Sequence, residues 1–479
     1  MNLFIKNKIK FILLTILIST TSLLSNNLNN TTKSIIKIFT TKSKPNYKYP
    51  WQTGNIGKYT GSGVIINENK ILTAAHVVVG AKLLEIKKEN DPKKYIAKIK
   101  YISHQADLAL IEVEDKSFFD NTEQLELSTN TKVRDSVTVV GYPLGGKNVS
   151  TTTGIVSRIE QQYYSYSAEK LLAIQVDAAI NSGNSGGAVV NDSNELVGIA
   201  MMKRLKAENI AYIVPTVIIN TFLKDIKDDI VDGFSKESTF FNSIENDTLK
   251  KYYGLKNGNG VLVSTVGKYD DKLKLNDIIL SIDGNDIANN ETISSMYGRI
   301  SFSHIYHTKQ IGDIVTFDIL RDNVNIKVTT TVKRIPSLIE YEFEKSPRFI
   351  IYGGLVFSPI TKNYLSTITK LESDHIKKKL YAKKKIENYK EAITIVTTIF
   401  PHKVNRGYRS WANVLKSVNG IKIKSFNHLV NIIDNIKDEY TKFEFFESAT
   451  IILNTKEAKE SFKNIKSLYK LHSDRTSKY

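Results

Sequence analysis

A segment rich in glycine and serine, NSGNSGGA at residues 181–188, constrains the fold of this chain more than any other stretch. Glycines close to a serine on both sides disfavour the interior of a helix or strand, because glycine costs backbone order there. Two short apolar runs follow, AVV at 188–190 and LVGIA at 196–200, separated by the turn-forming residues NDSN. The segment is therefore predicted to be a loop that leads into a β-hairpin, as in a β-barrel.

The serine of this loop, Ser185, is a candidate nucleophile. The amides of Gly183 and Ser185 can point at one spot, which is the donor pair that an oxyanion hole needs. A glycine-any-serine-any-glycine pattern also occurs in the nucleophile elbow of α/β-hydrolases, but that fold follows the serine with a long helix and orders its triad Ser, Asp/Glu, His. The predicted hairpin does not fit an elbow. Taken alone, the segment also fits an ordinary turn.

Two upstream residues favour catalysis. His76 follows an apolar strand and sits where a core would meet a cleft, although a structural histidine is the simpler interpretation of His76 alone. Asp107 opens the run LALIEV, where a carboxylate is poorly placed for solvent and needs a buried partner, unless it is a turn residue ahead of the strand. The order His76, Asp107, Ser185 is that of chymotrypsin-like proteases.

Seven collinear segments resemble the high-temperature-requirement (HtrA/Deg) family of ATP-independent serine proteases. They are TGSGVII (60–66), ILTAAHVV (71–78), ADLALIEV (106–113), VVGYPLGG (139–146), TTTGIVSRIE (151–160), QVDAAINSGNSGGAVV (175–190) and NIAYIVPTVIINTFL (209–223). The downstream region is most similar to the plant-type Deg branch, although Ala188 stands where the family usually has proline. The resemblance implies a mainly β chain, in which a chymotrypsin-like double β-barrel protease domain precedes two α+β PDZ-like domains.

The resemblance also implies a serine endopeptidase that needs no cofactor or metal. Ser185 would attack the scissile carbonyl, His76 would act as the base, Asp107 would orient His76, and the amides of Gly183 and Ser185 would stabilise the oxyanion. The loops Gln161–Lys170, Asn181–Gly183 and Met202–Asn209 are expected to regulate the site. Candidate residues of the primary specificity pocket carry no acid, which predicts small or medium apolar substrate side chains: Ala178, Ala179, Ile180, Ala200 and Met201.

The chain is predicted to divide into five regions. They are a signal peptide or anchor (1–25), a flexible arm (26–48), the protease domain (49–230), a PDZ domain (231–336) and a divergent PDZ-like C-terminal domain (337–479). Three lysines ahead of a short apolar run and a Ser/Thr-rich close are typical of a secretory signal, although an uncleaved membrane anchor stays open. With this leader, the predicted location is a bacterial periplasm.

The PDZ prediction rests on GNGVLV, which contains Gly258, Gly260, Val261 and Leu262, and on LKLNDIILSIDG further on. PDZ domains bind extended C-terminal peptides by β-addition, and the glycine-rich turn before Val261 would bind the terminal carboxylate. A purely structural spacer domain is the alternative. His304 and His307 have metal-like spacing without a nearby ligand set, so they are interpreted as loop residues.

Partners follow mainly from the resemblance: unfolded or misfolded polypeptides, C-terminal peptides, and copies of the chain in a homotrimer or larger oligomer. Tyr49 and Trp51 would form the trimer contact or else seal the end of a barrel. The net charge of +18 is spread thinly, with no aromatic-rich RNA motif, so no nucleic-acid partner is predicted. An inactive chaperone or scaffold is the competing function, and the intact His76, Asp107 and Ser185 set argues against it.

Overall fold

The computed structural model describes residues 31–476, apart from residues 53, 204–209, 256–257, 271, 336–338, 344, 382–393, 410–412 and 447–449. The predicted leader at 1–25 lies outside these residues, as does most of the predicted regulatory loop Met202–Asn209. The chain divides into two compact units. The first includes the residues up to Lys42 and Lys58–Ile335, and the second includes Ser43–Gly57 and Pro336–Tyr479.

The first unit begins with a closed six-stranded barrel in the order β1-β2-β3-β6-β5-β4. Its strands are β1 (Ile35–Ser43), β2 (Ile56–Ile66), β3 (Lys70–Thr73), β4 (Ala81–Lys88), β5 (Tyr95–Ser103) and β6 (Leu108–Val113), with the one-turn helix α1 (Ala75–Val78) after β3. The predicted flexible arm is wrong over β1, because Ile35, Ile36 and Ile38 are fully buried in the barrel. An Asn/Thr/Lys-rich surrounding sequence conceals this apolar strand.

A second closed barrel follows in the order β10-β11-β12-β9-β8-β7. Its strands are β7 (Ser136–Gly141), β8 (Ser150–Tyr163), β9 (Lys170–Val176), β10 (Ala188–Val190), β11 (Leu196–Lys203) and β12 (Ala211–Pro215). The predicted hairpin after Ser185 is confirmed, since Ala188 pairs with Ile199. Helix α2 (Thr216–Asp225) begins after Pro215 and buries Ile218, Ile219 and Phe222, which recur at helical spacing.

The last part of the first unit is an α+β domain with a sheet in the order β13-β14-β15-β19-β20. Its elements are β13 (Phe240–Ser243), α3 (Asp247–Tyr252), β14 (Val261–Thr265), β15 (Ile278–Ile282), β16 (Asn285–Asp286), β17 (Thr292–Ser295), β18 (Gly298–Ser301), α4 (His304–His307), β19 (Ile314–Arg321) and β20 (Val324–Thr331). Asn276 has φ +70°, a conformation that asparagine tolerates better than most residues. This explains why asparagine can stand where the family pattern has glycine.

The second unit carries a sheet in the order β21-β22-β23-β24-β26-β27, with β25 paired to β24. Its elements are β21 (Ile350–Tyr352), β22 (Leu355–Pro359), α5 (Lys362–Leu365), α6 (Lys370–Tyr381), β23 (Thr394–Ile399), β24 (Asn413–Val418), β25 (Ile421–Lys422), α7 (Phe426–Asn435), β26 (Tyr440–Phe445), β27 (Ile451–Asn454) and α8 (Thr455–Leu468). Residues near the C-terminus lie beside β21, where Ile350 bridges to Arg475 and the Ile351 amide donates to the Asp474 carbonyl at 2.6 Å.

The segment Ser43–Gly57, which connects β1 to β2, packs within the second unit. The Trp51 ring lies 4.8 Å from the Phe400 ring, and the Tyr49 ring lies 5.6 Å from that of Trp51. The Tyr47 hydroxyl donates to the Glu342 carbonyl. Trp51 is therefore packed on an aromatic residue of the C-terminal domain, and a role of Tyr49 and Trp51 in a trimer contact or at the end of a barrel stays a prediction. The predicted fold class, a mainly β chain with two barrels, is confirmed.

Candidate active site

His76 and Asp107 are joined by two hydrogen bonds. His76 lies in α1, directly after β3, and its Nδ1 is 2.7 Å from Asp107 Oδ2. The other carboxylate oxygen, Oδ1, accepts the His76 backbone amide at 2.9 Å. An Nδ1–H bound to a carboxylate leaves Nε2 as the free acceptor of the ring. The arrangement thus fixes which nitrogen of His76 can take a proton.

The backbone around Asp107 is unusual. Asp107 has φ +54°, a left-handed conformation that costs energy for most residues, and its side chain is only 1% exposed. The Asp107 carbonyl also accepts the amide of Ala75 at 3.0 Å. The side chain and the main-chain carbonyl of Asp107 therefore both bind α1, which explains why an aspartate ahead of a strand is buried.

The loop that carries Ser185 is shaped by two glycines with positive φ. Gly183 has φ +100°, and a Cβ there would lie 2.5 Å from the Leu144 amide nitrogen. Gly186 has φ +82°, and a Cβ there would overlap Thr73 Oγ1 and approach the Ala74 amide nitrogen to 3.0 Å. Glycine at 186 therefore lets the serine loop lie against the segment that leads into α1. In this way the fold brings Ser185 into the neighbourhood of His76.

The amides proposed for the oxyanion hole belong to this loop. Asn184 donates its amide to the Asn181 carbonyl at 3.0 Å, and Gly187 donates to the Asn184 carbonyl at 2.8 Å. Within the described part of the chain, the amides of Gly183 and Ser185 have no backbone or side-chain acceptor. Two unused amides two residues apart are able to bind a developing negative charge.

Ser62 braces the serine loop, a role that sequence reasoning missed. Its amide donates to the Ser185 carbonyl at 2.9 Å, and its hydroxyl donates to the Gly183 carbonyl at 2.8 Å. The same hydroxyl accepts the Tyr142 amide at 2.8 Å, while Thr73 Oγ1 donates to the Ser62 carbonyl at 2.6 Å. Ser62 is fully buried in β2. Its position between two glycines in an apolar strand was the signal that could have marked it.

The predicted pocket residues divide into two groups. Ile180, Ala200 and Met201 are buried with Ala178 in the hydrophobic core, whereas Ala179 is exposed. The Ala200 carbonyl accepts the Gly186 amide at 2.8 Å, and the Ala200 amide donates to the Gly187 carbonyl at 2.9 Å. The main chain of Ala200 therefore lies directly beside the serine loop. The role of these residues in substrate selection stays a prediction.

Tyr166 is a second residue that sequence reasoning missed. Its ring centroid lies 6.2 Å from that of His76 and 6.1 Å from that of His104. Its hydroxyl is 2.9 Å from His104 Nδ1. Burial lowers the pKa of His104 to about 4, so its imidazole is neutral near pH 7. Tyr166 thus lies between the candidate catalytic imidazole and a neutral one.

The predicted peptide-binding residues of the first PDZ-like domain lie at a strand that has neighbours on both sides. Val261 and Leu262 belong to β14, which pairs with β13 and with β15. Gly258 and Gly260 precede β14. A peptide adds to a sheet at an unpaired edge. The role of Gly258, Gly260, Val261 and Leu262 in peptide binding stays a prediction. The edge strand on that side is β13.

His304 and His307 were expected in a loop, and this expectation is wrong because they form the two ends of helix α4 and are buried. Burial lowers the pKa of His304 to about 4 and that of His307 to about 3. Among the described residues, no group of three or more His, Cys, Asp or Glu side chains could hold a metal ion.

Two family models match the chain: a trypsin-like peptidase domain over residues 61–199 and a PDZ domain over residues 339–478. Putative protease Do-like 3, mitochondrial, from Arabidopsis thaliana is 34% identical over 444 residues, which cover 91% of this chain and 78% of that protein. Protease Do-like 2, chloroplastic, from the same plant is 34% identical over 457 residues, which cover 93% of this chain and 75% of that protein. These relatives support the protease interpretation rather than the inactive chaperone.

Solved structures of an HtrA-type protease, AlgW, share the fold. The complex with a tripeptide is 23% identical and superposes with a TM-score of 0.50 over 66% of this chain and 98% of that chain. A variant of AlgW with a decapeptide is 22% identical, with a TM-score of 0.51 over 65% of this chain and 98% of that chain. At this identity the likeness concerns the fold alone.

The predicted bacterial periplasm is wrong. The similar proteins Do-like 3 and Do-like 4 of Arabidopsis thaliana are named as mitochondrial, and Do-like 2 is named as chloroplastic. A lysine-rich apolar leader does not by itself distinguish a secretory signal peptide from other N-terminal targeting sequences. In the described residues, no helix has the length and apolar character needed to span a membrane.

Proposed function

Because this chain belongs to the protease Do-like (HtrA/Deg) family and is a serine endopeptidase, we propose that Ser185 is its nucleophile, His76 its general base and acid, and Asp107 the residue that orients His76. The observation that carries this proposal is the 2.7 Å contact between His76 Nδ1 and Asp107 Oδ2, next to the loop of Ser185. The order of the three residues along the chain agrees with it.

The proposed reaction proceeds through an acyl-enzyme. Ser185 Oγ attacks the carbonyl carbon of the scissile peptide while His76 Nε2 takes the hydroxyl proton. The amides of Gly183 and Ser185 bind the oxyanion of the tetrahedral intermediate. His76 then passes the proton to the leaving amine nitrogen, and the C–N bond breaks. A water molecule, deprotonated by His76, hydrolyses the ester to regenerate Ser185.

The proposed substrates are unfolded or misfolded polypeptides with small or medium apolar side chains at the cleavage position. Ile180, Ala200 and Met201 are uncharged, and the main chain of Ala200 contacts the serine loop, which supports this selectivity. Misfolded chains expose apolar segments that native proteins bury, so an apolar pocket distinguishes them from folded proteins.

The proposed peptide site of the first PDZ-like domain is the edge strand β13. Phe240 on this strand is exposed, which suits a ligand with apolar side chains. We further propose that the protease domain starts at β1 and ends near residue 230, and that PDZ-like domains follow at 231–336 and 337–479. The chain is proposed to assemble into a homotrimer or larger oligomer. The proposed location is a mitochondrion or plastid, as the names of the relatives suggest.

Casein digestion by the full chain tests the catalytic proposal. The Ser185→Ala variant is expected to lose digestion, whereas Ser193→Ala, which changes an exposed serine in the β10–β11 turn, is expected to match the wild type. Equal digestion by Ser185→Ala and the wild type would show that the nucleophile is another residue. A fluorophosphonate probe that labels the wild type but not Ser185→Ala would identify the reactive hydroxyl directly.

A further inference from the structure

The side chain of Asp225 holds the start of the linker that leaves the protease domain. Asp225, the last residue of α2, accepts the amides of Asp232 and Gly233 at 3.2 and 3.0 Å. Phe234 follows and is buried in the core that the second barrel shares with the first PDZ-like domain. The path of the backbone at 232–234 is therefore set by the packed end of the protease and by the domain that follows.

Gln105 binds this linker with both ends of its amide. Its Oε1 accepts the Phe234 amide at 2.7 Å, and its Nε2 donates to the Phe234 carbonyl at 3.1 Å. Gly233 has φ +83°, and a Cβ there would overlap Gln105 Oε1, so the close approach requires glycine. Gln105 lies two residues before Asp107, in the turn between β5 and β6.

The same turn is held from a second direction by the loop between β8 and β9. Ser167 is buried, and its hydroxyl donates to the Gln105 carbonyl at 2.8 Å. The neighbouring Tyr166 contacts His104 through its hydroxyl and faces the ring of His76. The turn that presents the candidate orienting carboxylate is thus clamped between the linker and this loop.

A turn with a left-handed residue at its end needs such support. Asp107 has φ +54°, and the hydrogen bonds of the Gln105 side chain within the described residues go to the backbone of Phe234 in the linker. We propose that Gln105 is a positioning residue, which makes the geometry of the His76–Asp107 pair depend on the docked linker of the first PDZ-like domain. This proposal rests on the proposed role of Asp107.

The near-isosteric Gln105→Met variant of the full chain tests the proposal. It keeps the length of the side chain and removes both hydrogen bonds to Phe234. With an internally quenched peptide substrate, kcat is expected to fall about 10- to 100-fold while KM changes by less than about twofold, because misplacement of a catalytic group affects the chemical step. Labelling of Ser185 by a fluorophosphonate is expected to slow in parallel, since it does not depend on substrate docking.

Gly233→Ala supplies an independent test from the linker side. Its matched control is Gly312→Ala, at a glycine with φ +97° in the same domain, where no atom of the described residues lies within 4 Å of the added Cβ. Gly233→Ala is expected to lower kcat as Gln105→Met does, whereas Gly312→Ala is expected to keep the wild-type kcat. The double variant Gln105→Met/Gly233→Ala is expected to have a kcat no lower than that of the worse single variant. Both substitutions disrupt the same contact between Gln105 and the linker, so their effects do not add.

Two results would overturn the proposal. One is a wild-type kcat in Gln105→Met and Gly233→Ala; the other is a loss that is equal in Gly233→Ala and Gly312→Ala and follows thermal stability in both. The Ser185→Ala variant distinguishes failure of the positioning proposal from failure of the catalytic assignment. If Ser185→Ala is inactive while Gln105→Met matches the wild type, only the positioning role is wrong. If Ser185→Ala stays active, the proposed catalytic set is wrong as a whole.

Discussion

On the first barrel, the candidate active site consists of two side chains in direct contact. His76 and Asp107 come from α1 and from the turn before β6, and each carboxylate oxygen of Asp107 accepts one hydrogen bond from His76. On the second barrel, the site is made of backbone. Gly183 and Gly186 hold positive φ, and Ser185 is the proposed nucleophile of that loop.

The difference predicts different sensitivities on the two sides. A side-chain pair fails when a donor is exchanged for an acceptor, even if the volume is unchanged. A backbone loop fails when a methyl group is added, even though no functional group is lost. The contact between the two sides runs through Ser62, which binds both Gly183 and Ser185 from the first barrel.

The largest effect is expected for Asp107→Asn. The Asn oxygen can still accept the His76 amide, and asparagine tolerates the positive φ of this position, so the backbone is expected to persist. The amide NH₂ then faces Nδ1 and donates to it, which places the proton of the ring on Nε2. A fall in kcat of about 10⁴-fold is expected, as for the same change in other triads. A thermal melt of the variant checks the fold, and a loss below about 100-fold would contradict the orienting role.

Gly183→Ala tests the backbone side and is expected to have the next largest effect. A Cβ at 183 would lie 2.5 Å from the Tyr142 carbonyl oxygen, and alanine disfavours φ +100°. The loop must shift, so kcat is expected to fall about 10²–10³-fold, the usual cost of one oxyanion donor. Gly145→Ala is the matched control, because Gly145 has φ +79° and the described part of the chain places no atom within 4 Å of the added Cβ. Equal kcat values for the two variants would contradict the distinction between the sides.

The first-barrel residues and the serine could be predicted from sequence because their chemistry is local. A histidine after an apolar strand, an aspartate before one and a serine between glycines each leave a mark within a few positions. The hairpin after Ser185 is likewise encoded by two apolar runs and the turn between them. These predictions needed no knowledge of distant contacts.

The bracing residues could not be predicted in this way, because their partners lie far along the chain. Ser62 reaches Ser185, and Gln105 reaches Phe234, across separations that no local pattern records. The edge of the PDZ-like sheet could not be predicted for a related reason: the sequence GNGVLV indicates a strand, but only pairing shows that β14 is internal and β13 is the edge. Strand β1 was missed because polar neighbours dilute its alternation.

Ser62→Ala is expected to weaken both sides at once, by less than either change above. It removes the hydroxyl that donates to Gly183 and accepts the Tyr142 amide, in a fully buried place. The free energy of unfolding is expected to fall by about 1–3 kcal/mol, and kcat by about 10-fold as the loop loosens. Ser128→Ala, at a buried serine whose carbonyl binds Thr216, is the control for stability alone. A wild-type kcat in Ser62→Ala would show that the loop holds its shape without this brace.

The smallest effect is expected when the pH is lowered, which reduces the stability of the first-barrel side through protonation of His104. Its pKa is about 4 in the folded chain and about 6.5 in the unfolded chain. Between these values the unfolded state binds more protons, so stability falls as the pH is lowered from 6.5 towards 4. From about pH 7.5 to about pH 5, the wild type is expected to lose about 1 kcal/mol more than His104→Gln in urea unfolding, after allowance for partial exposure of the ring. His472→Gln, which replaces an exposed histidine of the second unit, is the matched control for the substitution itself. If His104→Gln loses as much stability as the wild type over this pH range, protonation of His104 is not the cause of the loss. The first-barrel side of the site would then be no more sensitive to pH than the glycine loop.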